Sequence, residues 1–149
     1  MKATGTVSDI IARKGGAVWA VSPDTAVYDA LAMMAEKNVG ALLVLDGERV
    51  MGLMSERDYA RKIVLLGKTS KRTRVREIMS EQLVCVTPRS TVEECMRLMT
   101  DKRIRHLPVK EGDQVLGIVS IGDLVNWIIL AQESIIDQLE GYIAGQYPT

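Results

Sequence analysis

Two kinds of hydrophobic pattern follow one another along the first half of this chain. Apolar side chains recur at helical spacing within Ala26–Lys37, which predicts a helix with one buried face. The continuous apolar run Gly40–Leu45 predicts a buried strand, and Asp46-Gly47 predicts a hairpin turn into a second strand, Arg49–Met54. The apolar residues of the predicted helix are Val27, Leu31, Met34 and Ala35.

The same order of elements is predicted twice: strand, helix, strand, strand, helix. In the first half, Ala17–Val21 is the leading strand, and Ser55 begins a closing helix that stops at Gly67. Val7–Ile10 and Val75–Ile78 are matching segments ahead of the two copies. The second copy consists of strand Leu83–Val86, helix Thr91–Lys102, strands His106–Lys110 and Gln114–Val119, and a helix opened by Ser120.

The repetition extends to individual polar residues. When Val21-Ser22-Pro23 is laid over Val86-Thr87-Pro88 without a gap, the segment Gly52–Asp58 falls on Gly117–Asp123. Most polar positions differ between the copies, whereas the skeleton Gly-x-x-Ser-x-x-Asp is kept. A repeat of this length is typical of two supersecondary units that bury their apolar faces together.

Composition narrows the class of protein. The chain has 149 residues, 47% of them hydrophobic, and 19 basic residues balance 19 acidic ones. We therefore expect one soluble domain of two halves with no general attraction for nucleic acid or membrane. Cys85 and Cys95 form no spaced framework, and no apolar run approaches the length of a membrane span, so we expect a cytoplasmic protein.

Taken in order, these motifs resemble a tandem pair of CBS domains, called a Bateman module. The matching stretches are Ile78-Met79, Val86-Thr87-Pro88, Ile104–Val109 and Gly117–Asp123. The resemblance implies an α+β fold of two β-α-β-β-α repeats with pseudo-two-fold symmetry and an extended C-terminal helix. It places repeat 1 at 7–67, a linker at 68–74, repeat 2 at 75–130, and the C-terminal helix extension and tail at 131–149.

The resemblance also implies a function, that of a regulatory, energy-sensing module for signal transduction. Such a module binds adenosine-containing ligands in clefts between its repeats. The resemblance implies no catalysis and no metal. AMP is the leading ligand, and NAD(H) and ATP are the alternatives. The output would pass to an unknown effector protein. The residues expected to contact the nucleotide are Ser22, Ala41, Ser55, Arg57, Asp58, Arg61, Thr87, Arg105, His106, Val119, Ser120 and Asp123.

The chemistry of the repeated Ser-x-x-Asp agrees with that implication. Ser55 and Ser120 stand where a strand ends and a helix begins, a place where backbone N–H groups favour an anion. Asp58 and Asp123 follow one turn later, where a carboxylate can accept two hydrogen bonds from a ribose diol. The alternative is that serine and aspartate only begin a helix.

The residues that would hold a phosphate are less uniform. Arg105 and His106 open the second strand of repeat 2, whereas repeat 1 has the small residues Gly40 and Ala41 there, so the two sites should differ. Arg57 and Arg61 share a helix face and are further candidates. The alternatives are a solvated helix face for these arginines and a hydrogen-bonded strand end for His106.

Other motifs in the chain give weaker indications of function. Gly67-Lys68-Thr69-Ser70 resembles the end of a P-loop, but it follows a helix and lacks the motif's first glycine. The basic run Lys68–Arg76 has no interleaved aromatic residues, which favours a solvated linker over a nucleic-acid site. No histidine repeats beside the serine and aspartate, so we expect no enzyme. A partner-binding or structural dimerisation module without ligand is the alternative function.

The last helix predicts association. Its apolar residues continue past Leu130, beyond the length of the helix that closes repeat 1. We therefore expect a homodimer in which this stripe is buried; the alternative is that the helix folds back over Val7 and Ile10. The stripe consists of Leu124, Ile128, Ala131, Ile135, Leu139 and Tyr142.

Overall fold

A computed structural model describes residues 5–143 of the chain. The helices are α1 (Val7–Lys14), α2 (Val27–Lys37), α3 (Glu56–Tyr59), α4 (Val92–Lys102) and α5 (Ile121–Ile143). The strands are β1 (Ala20–Val21), β2 (Ala41–Asp46), β3 (Arg49–Ser55), β4 (His106–Glu111) and β5 (Gln114–Ser120). A π-helical turn, Ala60–Val64, continues α3, and a 3-10 turn covers Val75–Glu77.

The chain divides into two compact units, which we name after the aspartate that each contains. The Asp58 unit is Ala17–Val84, and the Asp123 unit combines Met1–Gly16 with Cys85–Thr149. In the Asp58 unit, β1 pairs in parallel with β2, and β2 pairs antiparallel with β3. In the Asp123 unit, β4 and β5 form the corresponding antiparallel hairpin. The predicted α+β fold with two repeats and a long C-terminal helix is confirmed.

The leading strand of the second repeat, predicted at Leu83–Val86, is absent from the described residues, and that prediction is wrong. Within this segment only Val86 pairs with β4: its N–H donates to the Pro108 carbonyl, and its carbonyl accepts from Lys110 N–H, both at 2.9 Å. In the first repeat the parallel ladder has one more hydrogen bond, in which Leu43 N–H donates to Trp19 O at 3.2 Å. Pro108 occupies the position of Leu43 in the second repeat. Because proline has no N–H to donate, the ladder there stops after one residue.

Each unit contains the lead-in segment of the other sequence repeat. Val7 and Ser8 at the start of α1 donate to the carbonyls of Ser90 and Pro88, both at 2.9 Å, just before α4. Val75 and Arg76 donate to the carbonyls of Thr25 and Pro23, at 2.8 and 2.9 Å, just before α2. The lead-in segments therefore exchange between the repeats, which periodicity alone does not reveal.

Helix α1 was not among the predicted elements, although its start carries a local signal. Thr6 and Asp9 form a reciprocal capping box, in which the Asp9 carboxylate accepts from Thr6 N–H at 2.9 Å. A threonine followed three residues later by an acidic residue is a signature of a helix start. The helix ends at Lys14 and is followed by Gly15, which has a φ of 93°.

Buried aliphatic side chains form the core of each unit. In the Asp58 unit, α2 packs its buried face on the sheet, and Val75 and Ile78 join the same cluster. Cys95 is buried on α4, and burial raises the pKa of its thiol to about 11. Cys85, within the segment predicted as the leading strand of the second repeat, is exposed.

Both hairpins contain a bulge at the same place. The register shifts between Val44 and Leu45 in one hairpin and between Val109 and Lys110 in the other, where the facing residues are Gly52 and Gly117. At Gly52 the absence of a side chain also allows another segment of backbone to approach closely. A Cβ there would lie 2.6 Å from the carbonyl oxygen of Ser80.

No helix among residues 5–143 is long and apolar enough to cross a membrane.

Candidate functional site

The two repeated motifs have the same local geometry at the start of the closing helices. The Asp58 carboxylate accepts from Ser55 N–H at 3.0 Å, and Asp58 N–H donates to Ser55 Oγ at 3.2 Å. The corresponding distances for Ser120 and Asp123 are 2.9 and 3.1 Å. Both pairs are therefore reciprocal caps, as the helix-start interpretation predicts. Ribose binding remains a prediction for the carboxylate oxygens that the caps leave accessible.

Asp58 is held on both carboxylate oxygens by its own unit. Oδ2 takes the two donors of Ser55, its N–H and its hydroxyl, while Oδ1 accepts from Ser80 Oγ and Lys62 Nζ, both at 3.2 Å. Its side chain is only 11% exposed. A carboxylate has about four lone-pair positions, and these four donors match that number.

Asp123 is more accessible. Its Oδ2 accepts from Ser120 N–H and forms an ion pair with Lys14 Nζ at 2.7 Å. The side chain of Asp123 is 23% exposed, about twice the fraction of Asp58. The repeated motif thus presents one enclosed and one accessible carboxylate.

A lysine bridges each aspartate to a backbone carbonyl. Lys62 Nζ donates to Ile78 O at 2.8 Å, and Lys14 Nζ donates to Ile118 O at 2.9 Å. The two lysines come from different places in the repeat: Lys62 lies one turn after Asp58 on the closing helix, whereas Lys14 ends α1. The sequence repeat does not reveal this shared contact.

Asp123 and Lys14 line a surface cleft of about 200 Å³ in the Asp123 unit. The cleft combines two cations, a carboxylate, an amide and an indole, which suits a polar ligand with a flat ring and negative charge. Pockets for drug-sized ligands usually measure about 300 to 1,000 Å³, so this cleft has room for part of such a ligand. Its lining residues are Ile10, Arg13, Lys14, Asp123, Asn126 and Trp127.

Arg105 and His106 lie beside the start of α5. His106 opens β4 in register with Ser120, and Ile121 N–H donates to the Arg105 carbonyl at 2.9 Å. Ala41 is paired with Ser55 in the same way in the Asp58 unit. Arg105 is exposed and His106 is half-buried. The structure therefore brings these predicted residues next to the serines of the motif.

The remaining predicted residues are spread over both units. Ser22 Oγ accepts from Asp24 N–H at 3.1 Å in the turn before α2, and exposed Thr87 occupies the equivalent turn. Val119 is fully buried in β5. Arg57 and Arg61, on α3 and the following π-helical turn, are exposed.

Reasoning from the sequence missed both lysines, as well as Ser80 and Trp127. Lys62 carried a signal, because an aspartate and a lysine four residues apart pair on a helix. Lys14 and Ser80 carried none, since they reach the aspartates only through the exchanged lead-in segments. Among the residues that the structure describes, no cluster of histidine, cysteine, aspartate or glutamate is arranged to hold a metal ion.

Comparison with known families agrees with the repeat and the fold. The model of the CBS domain matches twice, at residues 7–65 and 75–130. The chain belongs to the CBS domain family. This confirms the resemblance inferred from the repeated motifs, and both CBS domains contain the Ser-x-x-Asp described above.

Individual CBS proteins resemble this chain over most of its length. The mitochondrial CBS domain-containing protein CBSX3 of Arabidopsis thaliana is 41% identical over 95% of this chain and 73% of its own. A solved CBS-domain structure from Burkholderia ambifaria MC40-6 is 47% identical, with a TM-score of 0.83 over 86% of this chain and 96% of that one. The CBS-domain protein ATU1752 of Agrobacterium tumefaciens is 34% identical, with a TM-score of 0.78 over 82% of this chain and 98% of that one.

Proposed function

We propose that this CBS pair is a sensor that binds an adenosine-containing nucleotide and carries out no chemistry of its own. AMP is the first candidate, and NAD(H) and ATP are the next. The observation that carries the proposal is the accessible Asp123 carboxylate beside a cleft that also holds cations and an indole. A carboxylate accepts the two hydroxyls of a ribose, and cations bind phosphate.

A neighbour of the same fold supports the ligand class. The CBS domain pair of protein MJ0100 was solved in complex with 5′-methylthioadenosine and S-adenosyl-L-methionine; it has a TM-score of 0.73 and is 19% identical to this chain. At that identity the likeness carries the fold, and the ligands are those of MJ0100. Both ligands contain adenosine, the part of the nucleotide that we assign to Asp123.

Within this proposal the phosphate binds near the start of α5. Arg105 and His106 flank Ser120 there, and Arg13 and Lys14 line the adjacent cleft. Asp58 contributes less, because its oxygens already have donors from Ser55, Ser80 and Lys62. The nucleotide-dependent signal would pass to an effector protein.

Native mass spectrometry tests the proposed function. After incubation with AMP, NAD(H) or ATP, we expect the full chain to gain the mass of the nucleotide, most strongly with AMP. Adenine-free cytidine monophosphate is the control, since it offers the same ribose and phosphate without adenine. Equal retention of the two monophosphates would contradict adenosine recognition, and no retention of any nucleotide would favour a partner-binding module without ligand.

We further propose that the protein works as a homodimer through α5. Four of its apolar side chains are 42 to 57% exposed and fall on one face of the helix: Val125, Ile129, Ile136 and Leu139. Leu124, in the stripe predicted from the sequence, is fully buried, so the proposed contact is shifted around the helix and shares only Leu139 with that stripe. The side chains of Ile135 and Tyr142 lie outside the described residues.

Association through this face is expected to depend on Ile136. A charge placed there must be buried on dimerisation, so Ile136→Glu should convert a dimer into a monomer at micromolar concentration. Light scattering measures the change, and Gln138→Glu, an added charge at another exposed position of α5, is the control. A parent that is already monomeric would contradict the proposal. A hexameric CBS-CP12 protein from cyanobacteria, 32% identical, shows that a relative assembles.

A further inference from the structure

We infer that Lys14 makes the Asp123 site select a phosphorylated nucleoside over the unphosphorylated one. In the described structure the Lys14 ammonium lies 2.7 Å from Asp123 Oδ2, where a ribose hydroxyl would bind. A ribose diol that spans both carboxylate oxygens must displace this ammonium. A nucleotide then offers the ammonium a phosphate, whereas a nucleoside offers it no anion. The inference rests on the proposed function and deepens it.

The need for displacement follows from the donors already on the carboxylate. Oδ2 accepts from Ser120 N–H at 2.9 Å and from Lys14 Nζ at 2.7 Å, and one carboxylate oxygen has about two lone-pair positions. A vicinal diol that spans both oxygens of Asp123 needs one of the positions on Oδ2. Ser120 N–H is fixed in the backbone of the helix cap, so Lys14 is the donor that can leave.

Lys14 is suited to leaving. Its side chain is 38% exposed, and its contacts are to Asp123 and to the Ile118 carbonyl at 2.9 Å. A partly exposed ion pair of this kind contributes little stability, so breaking it costs little. Lysine also carries a compact charge on a flexible side chain, so its ammonium can change from one acceptor to another within the same cleft.

A phosphate would recover the cost. Lys14 and Arg13 both line the cleft that Asp123 and Trp127 share, so the released ammonium remains among the residues that face the ligand. A phosphate offers the ammonium a charge-assisted hydrogen bond between two ions, whereas a nucleoside has only an uncharged hydroxyl in place of the phosphate. The Lys62 side chain is just as exposed, at 41%, but the Asp58 carboxylate that it contacts is only 11% exposed, so moving Lys62 would not open a comparable site.

The inference is tested with adenosine and AMP on the full-length parent and on Lys14→Met, which keeps the length of the side chain and removes its charge. For adenosine we expect about threefold tighter binding in the variant, because the competitor for Asp123 is gone. For AMP we expect about tenfold weaker binding, because the phosphate loses a charged partner. The ratio of the two affinities, measured by calorimetry, should therefore fall by about thirtyfold.

Lys102→Met is the matched control, since it removes the same charge from an exposed position at the end of α4 in the same unit. Its affinity ratio should equal that of the parent. A Lys14→Met variant in which both affinities change by the same factor, or neither changes, would overturn the inference while leaving nucleotide binding intact. If the parent binds neither compound, the proposed function fails and the inference fails with it.

Discussion

Replacing Asp123 with alanine is expected to weaken AMP binding by roughly tenfold to hundredfold. The substitution removes the acceptor of two charge-assisted hydrogen bonds from the ribose, worth about 1.4 to 2.8 kcal/mol. Calorimetric titration with AMP measures the loss. The same change at Asp58 should have a smaller effect on affinity, because that carboxylate is 11% exposed and engaged with Ser80 and Lys62.

Asp123→Asn separates ligand binding from folding. Asparagine still accepts the hydrogen bond that caps the helix, whereas alanine loses it at a cost of about 1 kcal/mol in the free energy of unfolding. We expect the asparagine variant to unfold like the parent and still bind AMP more weakly. Unchanged AMP affinity in a folded Asp123→Ala protein would show that the ribose does not bind this carboxylate.

Gly52→Ala is expected to destabilise the protein by about 2 to 3 kcal/mol, the largest change in unfolding free energy that we predict. The added Cβ would lie 2.6 Å from the backbone oxygen of Ser80. That oxygen accepts from Leu53 N–H at 3.0 Å, and Ser80 N–H donates back to Leu53 O at 2.9 Å. Relief of the clash must therefore weaken this pair of hydrogen bonds, which urea denaturation will detect.

The equivalent glycine of the other repeat supplies the control. A Cβ on Gly117 would meet only the Cδ1 atom of Ile11, at an ordinary 3.8 Å. Gly117→Ala should therefore leave stability within about 1 kcal/mol of the parent, or raise it slightly by restricting the unfolded chain. Equal losses for the two variants would mean that the glycines serve the bulge itself and that contact with Ser80 is unimportant.

Much of the fold follows from patterns that are local in the sequence. The helical spacing of Val27, Leu31 and Met34 and the apolar run at Gly40–Leu45 predict α2 and β2 to within a residue or two. The two caps at Ser55 and Ser120 are also local, since each joins residues three apart. Aligning one half of the sequence with the other then reveals the repeated motifs that indicate the CBS domain family.

The features that the repeat did not reveal depend on contacts distant in the sequence or on one substituted residue. Pro108 replaces Leu43 in the repeat and removes the N–H on which a longer leading strand depends. Lys14 and Ser80 reach the aspartates because the lead-in segments exchange, which no pattern within one repeat records. These residues also give the Asp58 and Asp123 carboxylates different hydrogen-bond partners and different exposure, although the Ser-x-x-Asp motif is the same.

Calorimetric titration of the full chain with AMP tests the central claim most directly. We predict saturable binding of AMP that is tighter than binding of adenosine, with NAD(H) and ATP competing for the same site and Asp123→Ala reducing the affinity at least tenfold. The absence of binding heat for AMP, NAD(H) and ATP in a folded protein, at temperatures where the parent is stable, would contradict the account.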